Sequence, residues 1–162
     1  MADAPVMENV RNALNLAPHP EGGAFAEVFR SARRVRPLDA AGAERSALTH
    51  IYFHLEPGEV SRFHRVAADE AWHLYEGGGV ILHQWREGAG SVERIRLGRD
   101  RRRYCHVVPA GTWQAAEPVD GPVLVGCSVG PGFEFEDFEL AGSEGPVARA
   151  IRSIDPSLGR FL

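Results

Sequence analysis

The stretch from Gly58 to Gly77 reads GEVSRFHRVAADEAWHLYEG, and it decides the fold. Residues 60–65 and 71–75 are two short runs of strand-like length that contain β-branched or aromatic residues. Glycines stand at both ends of the stretch, where turns are expected. The stretch therefore predicts two consecutive strands, with His64 on the first and Glu70 at the start of the second.

The same pattern continues on both sides of this stretch. The chain spreads 18 Gly and 11 Pro over 162 residues and separates many short apolar runs with them. Such a composition is typical of an all-β protein rich in turns. Short strands at regular spacing, without helices between them, indicate a sandwich or a barrel. The further predicted strands are residues 24–31, 48–55, 80–86, 92–97, 106–108, 112–116, 122–129 and 133–140.

The two ends of the chain differ from this β-rich centre. Val6, Val10 and Leu14 recur at helical spacing and predict a short amphipathic helix that ends at Pro18. We therefore divide the chain into an N-terminal helical segment (1–17), a β barrel (18–142) and a C-terminal tail (143–162). The tail is expected to hold one turn of helix after Pro156.

Composition and charge exclude several classes of partner. Eighteen basic and 22 acidic residues give a formal charge of −4, which offers no general attraction to nucleic acid. No segment reaches the roughly 18 apolar residues of a membrane span, and the N-terminus lacks the features of a signal peptide. We expect a cytoplasmic protein with no nucleic-acid or membrane partner, in which Cys105 and Cys127 are free thiols.

The residues quoted first also carry a resemblance to a known family. Gly58, His64, Glu70 and Gly77 fall at the offsets of the first signature of the cupin superfamily, and residues 109–114 (PAGTWQ) resemble the second. Within that superfamily the chain is similar to the DUF985, or cupin-5, group. The resemblance is carried by residues 18–23, 63–66, 69–70, 72–73, 108–111, 113–116, 125–127 and 131–133. It implies a double-stranded β-helix (cupin jelly roll), a homodimer, and a small-molecule pocket at the barrel mouth.

The metal ligands that the resemblance implies are incomplete in this chain. Metal-dependent cupins use two histidines and a glutamate from the first signature and a histidine from the second. Here Val66 and Gln114 stand at two of these positions, so His64, Glu70 and Gln114 are the candidate ligands from the signatures. A missing ligand could come from elsewhere in the chain, with His50, His54, His73 or Glu27 as possible donors. An amide binds transition metals more weakly than imidazole, and valine does not bind them. We expect no required cofactor, with a divalent metal (Zn, Ni, Fe or Mn) as the alternative.

Strand alternation predicts which side chains share the pocket with these residues. If His64 points inward, Arg62 does so as well; the same reasoning pairs Trp72 with Glu70 and Thr112 with Gln114. Arg62 could anchor a carboxylate or phosphate, and Trp72 could stack on a sugar-like ring. Glu27 is a further candidate for ligand binding, on a strand whose one face carries Phe25, Glu27 and Phe29.

Three functions fit this set of residues. The first is a small-molecule-binding cupin with metal-independent isomerase or epimerase chemistry, in which His64 and Glu70 form a general base pair. The second is a metal-dependent oxidoreductase or lyase, and the third is a non-catalytic ligand-binding dimer. Two acidic or histidine-containing segments are assigned structural roles: the His19–Gly23 turn, and residues 133–139, which are expected to form a strand with a solvated acidic face.

Overall fold

The computed structural model describes residues 10–38 and 43–162, and within them the chain forms an all-β jelly roll. Every strand pairing in it is antiparallel. The strands are β1 (Ala17–Pro18), β2 (Ala24–Arg30), β3 (Arg34–Val35), β4 (Arg45–Ser46), β5 (Thr49–Leu55), β6 (Ser61–Val66), β7 (Asp69–Gly77), β8 (Val80–Trp85), β9 (Glu93–Leu97), β10 (Cys105–Val108), β11 (Trp113–Pro118), β12 (Val123–Gly130) and β13 (Phe138–Leu140).

Two sheets build the roll, and both combine strands that are distant in sequence. The larger sheet has the order β1-β2-β5-β12-β7-β10, and the smaller has the order β13-β6-β11-β8-β9. His64 lies on the smaller sheet and Glu70 on the larger one. Consecutive strands β6 and β7 therefore bring the two residues of the first signature into the interior from opposite walls. The predicted all-β jelly roll is confirmed.

Two apolar cores stabilise this arrangement. The main core lies between the sheets and contains Phe53, Leu55, Trp72, Leu82 and Val125 among other side chains. A second core, around Phe63, Trp113, Ile151 and Phe161, forms on the outer side of the smaller sheet. Each Å² of apolar surface removed from water contributes about 25 cal/mol to the free energy of folding, so such cores are the main source of stability.

The second core explains why the C-terminal tail is ordered. Residues 143–162 form a helix, Pro146–Ile154, and a 3₁₀ helix, Pro156–Phe161, which bury Ala148, Ile151, Leu158 and Phe161 against the sheet. The helical turn after Pro156 is confirmed, whereas the preceding helix is an element that the sequence reasoning missed. No helix among residues 10–38 and 43–162 is long and apolar enough to cross a membrane.

Two other elements differ from their predicted form. The N-terminal helix spans Val10–Ala13 and ends before Asn15, which takes a left-handed φ of 53°, rather than at Pro18; its predicted start at Val6 lies outside the described residues. The predicted strand 133–140 is a 3₁₀ turn, Phe135–Asp137, followed by the short β13.

Irregular strand registers in β2 and β6 decide which of their side chains reach the interior. In β6, Gln114 faces His64 but Ala116 faces Ser61, so three residues of β6 oppose two of β11. In β2, the partners change from Glu27–Ile51 to Phe29–His50. An extra residue reverses the alternation beyond it. The predicted inward orientation of Arg62 and the shared face of Phe25, Glu27 and Phe29 are therefore wrong, and Arg62 and Phe29 are exposed.

Candidate functional site

A cavity opens between the two sheets at the end where His64 and Glu70 lie. A volume of about 80 Å³ within it is open to the centre of a water molecule. The walls are mainly apolar, and ionisable groups are concentrated on the floor and at the mouth. The lining residues come from β2, β5, β6, β7, β12 and the segments 19–21 and 133–138: His19, Glu21, Phe25, Glu27, Arg30, Thr49, Ile51, His64, Val66, Glu70, Cys127, Val129, Phe133, Glu134, Phe135 and Phe138.

The partner of His64 on the floor is Glu21, a residue that the sequence reasoning did not select. His64 Nε2 lies 3.2 Å from Glu21 Oε2, whereas the structure gives no hydrogen bond between His64 and Glu70. His64 Nδ1 is 2.8 Å from the Arg62 carbonyl oxygen. A carbonyl only accepts, so Nδ1 carries the proton in neutral His64 and Nε2 has a free lone pair.

The proton between Glu21 and His64 therefore belongs to the carboxyl group. Burial raises the pKa of Glu21 to about 8, against a smaller lowering by the Ser61 hydrogen bond. Burial also lowers the pKa of His64. Both pKa shifts favour a neutral pair, because an ion pair would place two charges in an apolar interior.

The turn before β2 holds Glu21 in place. Its backbone carbonyl accepts from the Arg62 N–H at 2.8 Å, and Ser61 Oγ donates to Glu21 Oε1 at 2.8 Å. Gly22 takes a φ of +113°, and a Cβ there would lie 2.1 Å from the Val60 carbonyl oxygen. Only glycine permits this close approach of the turn to β6. In the sequence, the motif Pro20-Glu21-Gly22-Gly23 predicts this turn. It does not show that the Glu21 carboxyl group points inward, because a turn lacks the periodicity that reveals the buried face of a strand.

Glu70 is held from behind by a chain of two hydrogen bonds. Trp72 Nε1 donates to Gln114 Oε1 at 2.8 Å, and Gln114 Nε2 donates to Glu70 Oε2 at 2.6 Å. An indole N–H can only donate, so it fixes the amide orientation and turns the Gln114 amino group toward Glu70. Burial raises the pKa of Glu70 to about 7, against a smaller lowering by His64 and with a smaller contribution in the same direction from Glu21.

Four of the five other residues predicted to bind ligand lie outside the cavity lining. Trp72 is 1% exposed within the main core, and Gln114 is buried behind Glu70. Thr112 is buried in the turn that precedes β11, where its N–H donates to the Pro109 carbonyl. Arg62 is exposed because of the irregular register in β6, and its guanidinium donates to the Pro20 carbonyl. Of the five, only Glu27 lines the cavity.

Glu27 lies at the mouth, in a cluster of charges around Arg30. Both carboxylate oxygens of Glu27 accept from Arg30 at 2.9 Å. Arg30 also donates to Glu134 Oε1 and to the Phe133 carbonyl, each at 2.9 Å. A bidentate pair with further acceptors fixes the guanidinium rigidly. Arg30 thus ties β2 to the segment 133–138.

Phenylalanines of that segment form one wall of the cavity. Phe133, Phe135 and Phe138 contact one another with centroid distances from 5.0 to 6.1 Å. Phe138 stacks on His64 at 5.4 Å. On the other side of the segment, Asp137 accepts two hydrogen bonds from Arg45 at 2.7 and 2.9 Å. The acidic side chains of this segment pair with arginines, and Glu136 and Glu139 stay exposed as expected. Phe133 and Phe138 are partly buried, whereas Phe135 lines the cavity while 55% exposed.

The donor set does not fit the metal centre that metal-dependent cupins build. Val66 lines the cavity where those proteins have a second histidine, and the amide of Gln114 already uses both ends on Trp72 and Glu70. His64 Nε2 faces a carboxyl group that holds a proton. In residues 10–38 and 43–162, no group of three or more His, Cys, Asp or Glu side chains has the geometry to hold a metal ion.

Comparisons with known proteins agree with this fold. The family model described as "Cupin superfamily (DUF985)" matches residues 8–141. A hypothetical protein from Leishmania major is 30% identical, with a TM-score of 0.77 over 93% of this chain and 92% of that one. A protein from Shewanella oneidensis is 32% identical, with a TM-score of 0.82 over 100% and 98% of the two chains.

A more distant likeness concerns the fold alone. Oxalate decarboxylase from Bacillus subtilis is 17% identical, with a TM-score of 0.56 over 76% of this chain and 29% of that protein. One of its structures is described with Mn(II) centres. Among curated proteins, none matches the chain significantly.

Proposed function

The chain belongs to the DUF985 family of the cupin superfamily, and we propose that it binds a small molecule and isomerises or epimerises it by metal-independent proton transfer. The observation that carries the proposal is the convergence of Glu21, His64 and Glu70, all buried, in one mainly apolar cavity. Apolar pockets with a few convergent ionisable groups are the usual form of active sites.

The two carboxyl groups suit opposite roles near neutral pH. Glu70, with a pKa of about 7, is largely ionised just above neutrality and can act as general base. Glu21, with a pKa of about 8, is still protonated there and can act as general acid. A catalytic pKa close to the working pH gives the most efficient proton transfer. The neutral His64 ring, whose Nε2 lies 3.2 Å from Glu21 Oε2, leaves the acidic proton on the carboxyl group.

The reaction proceeds through an enol. Glu70 removes a proton from the carbon beside a substrate carbonyl, the C–H electron pair forms the C=C bond, and the carbonyl oxygen takes the proton of Glu21. In an epimerisation the enol turns over in the cavity, Glu70 returns its proton to the opposite face of the same carbon, and the enol O–H proton goes back to Glu21. Where that carbon carries a hydroxyl group, Glu70 can instead return its proton to the former carbonyl carbon, and the hydroxyl gives its proton to Glu21 as it becomes the new carbonyl. In both cases the two carboxyl groups recover their starting states.

Deuterium exchange tests this proposal without knowledge of the natural substrate. We expect the protein to accelerate loss of the C–H signal of hydroxyacetone or 2-hydroxyacetophenone in D₂O, followed by proton NMR. Glu70→Gln should reduce the rate by at least about a hundredfold. Glu139→Gln makes the same change at a surface carboxylate that pairs with Arg65 and should retain the rate.

The pH dependence of the exchange gives a second readout. It requires ionised Glu70 and protonated Glu21, so the rate should rise near pH 7, fall near pH 8 and be greatest about midway. A Glu70→Gln variant that exchanges at the wild-type rate would refute the proposal.

We also propose that the protein is a homodimer, joined through the outer face of the larger sheet. A row of paired residues crosses this face from Val107 through Ala71, Ser128 and His50 to Phe29. Val107 is 49% exposed and Phe29 51% exposed, and exposed apolar patches commonly mark interfaces. Sedimentation velocity of the wild type and of Phe29→Arg tests this: the wild type should sediment as a dimer and the variant as a monomer.

A further inference from the structure

We propose that the substrate is an uncharged carbonyl compound with a flat apolar body, and that the cavity discriminates against carboxylates and phosphates. This inference rests on the proposed function, since it names the substrate class of the same site. It departs from one expectation of the sequence analysis, namely that Arg62 binds the carboxylate or phosphate group of a ligand.

The charges of the lining residues favour a neutral ligand. Arg30 is the only Arg or Lys among the described residues that line the cavity, and residues 1–9 and 39–42 contain neither type. Four of its five N–H groups are engaged by Glu27, Glu134 and the Phe133 carbonyl. The guanidinium charge is thus matched by two carboxylates before any ligand enters.

The two histidines of the lining do not supply a positive charge either. His19 lies edge-on to Phe25 at 4.6 Å and to Phe138 at 5.8 Å, and burial lowers its pKa to about 4. His64 Nε2 lies 3.2 Å from the carboxyl group of Glu21, and burial lowers the pKa of His64 as well. An anion on the floor would therefore be desolvated beside two carboxyl groups without a cation to pair with it, which is strongly unfavourable.

The walls indicate the shape and polarity of the ligand body. Phe25, Phe133, Phe135 and Phe138 line the cavity together with Ile51, Val66 and Val129. Aromatic rings pack well against other flat rings, face to edge or in offset stacks. A ligand with a planar apolar body would find such partners on several sides.

A neutral carboxyl group on the floor suits a carbonyl oxygen. Protonated Glu21 can donate to that oxygen and can transfer its proton as negative charge develops there. A carboxylic acid kept neutral by an apolar site stabilises an enolate in this way without a metal or a cation. Substrate, acid and enol then remain uncharged at the oxygen throughout, so no ion has to be buried.

Three probes with one skeleton test the inference directly. Binding of 4-fluoroacetophenone, 4-fluorobenzoate and 4-fluorobenzylammonium to the full-length protein is measured by fluorine NMR titration at pH 7.5. We expect the neutral ketone to bind at least tenfold more tightly than either ion. Equal or tighter binding of the benzoate or the ammonium, or no binding of the ketone at millimolar concentration, would overturn the inference.

Variants at the mouth test the role of Arg30. Glu27→Gln releases Arg30 from its bidentate partner and should improve 4-fluorobenzoate binding at least fivefold, with less than a twofold change for the ketone. Glu134→Gln, on the outer segment, should act in the same direction, and Glu139→Gln should change neither. Unchanged benzoate binding in both mouth variants would contradict the claim that Arg30 is neutralised.

The two sets of experiments can refute the proposed function and the neutral-substrate inference independently of each other. Ketone preference without any deuterium exchange would refute the proposed function alone. Exchange that depends on Glu70, together with preferred binding of the benzoate, would refute the neutral-substrate inference alone.

Discussion

The burial of Glu21 should cost stability, and replacing it with glutamine should recover that stability. In Glu21→Gln the amide oxygen can accept from Ser61 Oγ, as Oε1 does now, and the amide nitrogen can donate to His64 Nε2 from the position of Oε2. The variant keeps the shape and the hydrogen bonds of the turn and removes only the ability to ionise.

The magnitude follows from the difference in pKa between the folded and unfolded chain. Burial raises the pKa of Glu21 from its ordinary value of 4.5 to about 8. The folded state therefore holds a proton that the unfolded state releases, and wild-type stability falls as pH rises from about 4.5 to about 8. At about 1.4 kcal/mol per pKa unit, the full loss is about 5 kcal/mol at pH 9 and about 2 kcal/mol at pH 6.

Urea denaturation at pH 5, 6, 7, 8 and 9 measures this effect. The gain in unfolding free energy of Glu21→Gln over the wild type should be below about 1 kcal/mol at pH 5 and should grow steadily to pH 8. Glu70 also makes the unfolding free energy depend on pH, but it does so in the same direction in both proteins, so its effect largely cancels in the difference between them. Glu139→Gln should parallel the wild type, because exposed ion pairs contribute little. If the curves of Glu21→Gln and wild type are parallel across the range, Glu21 is not a buried acid.

Three further predictions concern the support of the site. Trp72→Phe removes the N–H group that fixes the orientation of Gln114. The rate of deuterium exchange should fall about tenfold, and the unfolding free energy should fall by about 1–2 kcal/mol. An unchanged exchange rate would show that Trp72 does not position Glu70 through Gln114. Gly22→Ala should destabilise the protein by about 2–3 kcal/mol more than Gly58→Ala. A Cβ at Gly22 would meet the Val60 carbonyl, whereas a Cβ at Gly58 would have no atom within 4 Å. Urea denaturation of both variants measures the difference in unfolding free energy. Protein purified without chelator should hold well under one equivalent of metal by elemental analysis and keep its exchange activity in EDTA, and loss of activity that Mn²⁺ or Zn²⁺ restores would favour metal chemistry.

Alternation and turn residues along the chain predicted most strands and a sandwich or barrel, because each strand buries one face against a common core. The jelly roll, and the meeting of His64 and Glu70 in its pocket, were implied by the resemblance to the cupin signatures. Alternation failed where an extra residue interrupts a strand pairing, at Arg62 and Phe29. A bulge is a property of two paired strands, and neither partner's sequence marks its position alone.

The residue that completes the site was missed for a different reason. Glu21 lies in a turn, and its inward orientation depends on contacts with Ser61 and Arg62, about forty positions away in the chain. Such long-range contacts leave no periodic signal. Likewise, Trp72 and Gln114 were correctly placed near Glu70 but as ligand contacts, because a sequence cannot distinguish a side chain that faces a cavity from one that stands behind its wall.

The aromatic segment links the surface charges to the chemistry of the floor. In Phe133–Phe138 the carboxylates of Glu134 and Asp137 bind Arg30 and Arg45, and the phenylalanines close one side of the cavity. The charges are thus paired outside, and the interior is kept apolar. Because burial is the main cause of the raised pKa values of Glu21 and Glu70, the acid and base strengths on the floor depend on this wall. An acidic run that resembles a simple solvated strand face therefore helps to set the proton affinity of groups that it does not touch.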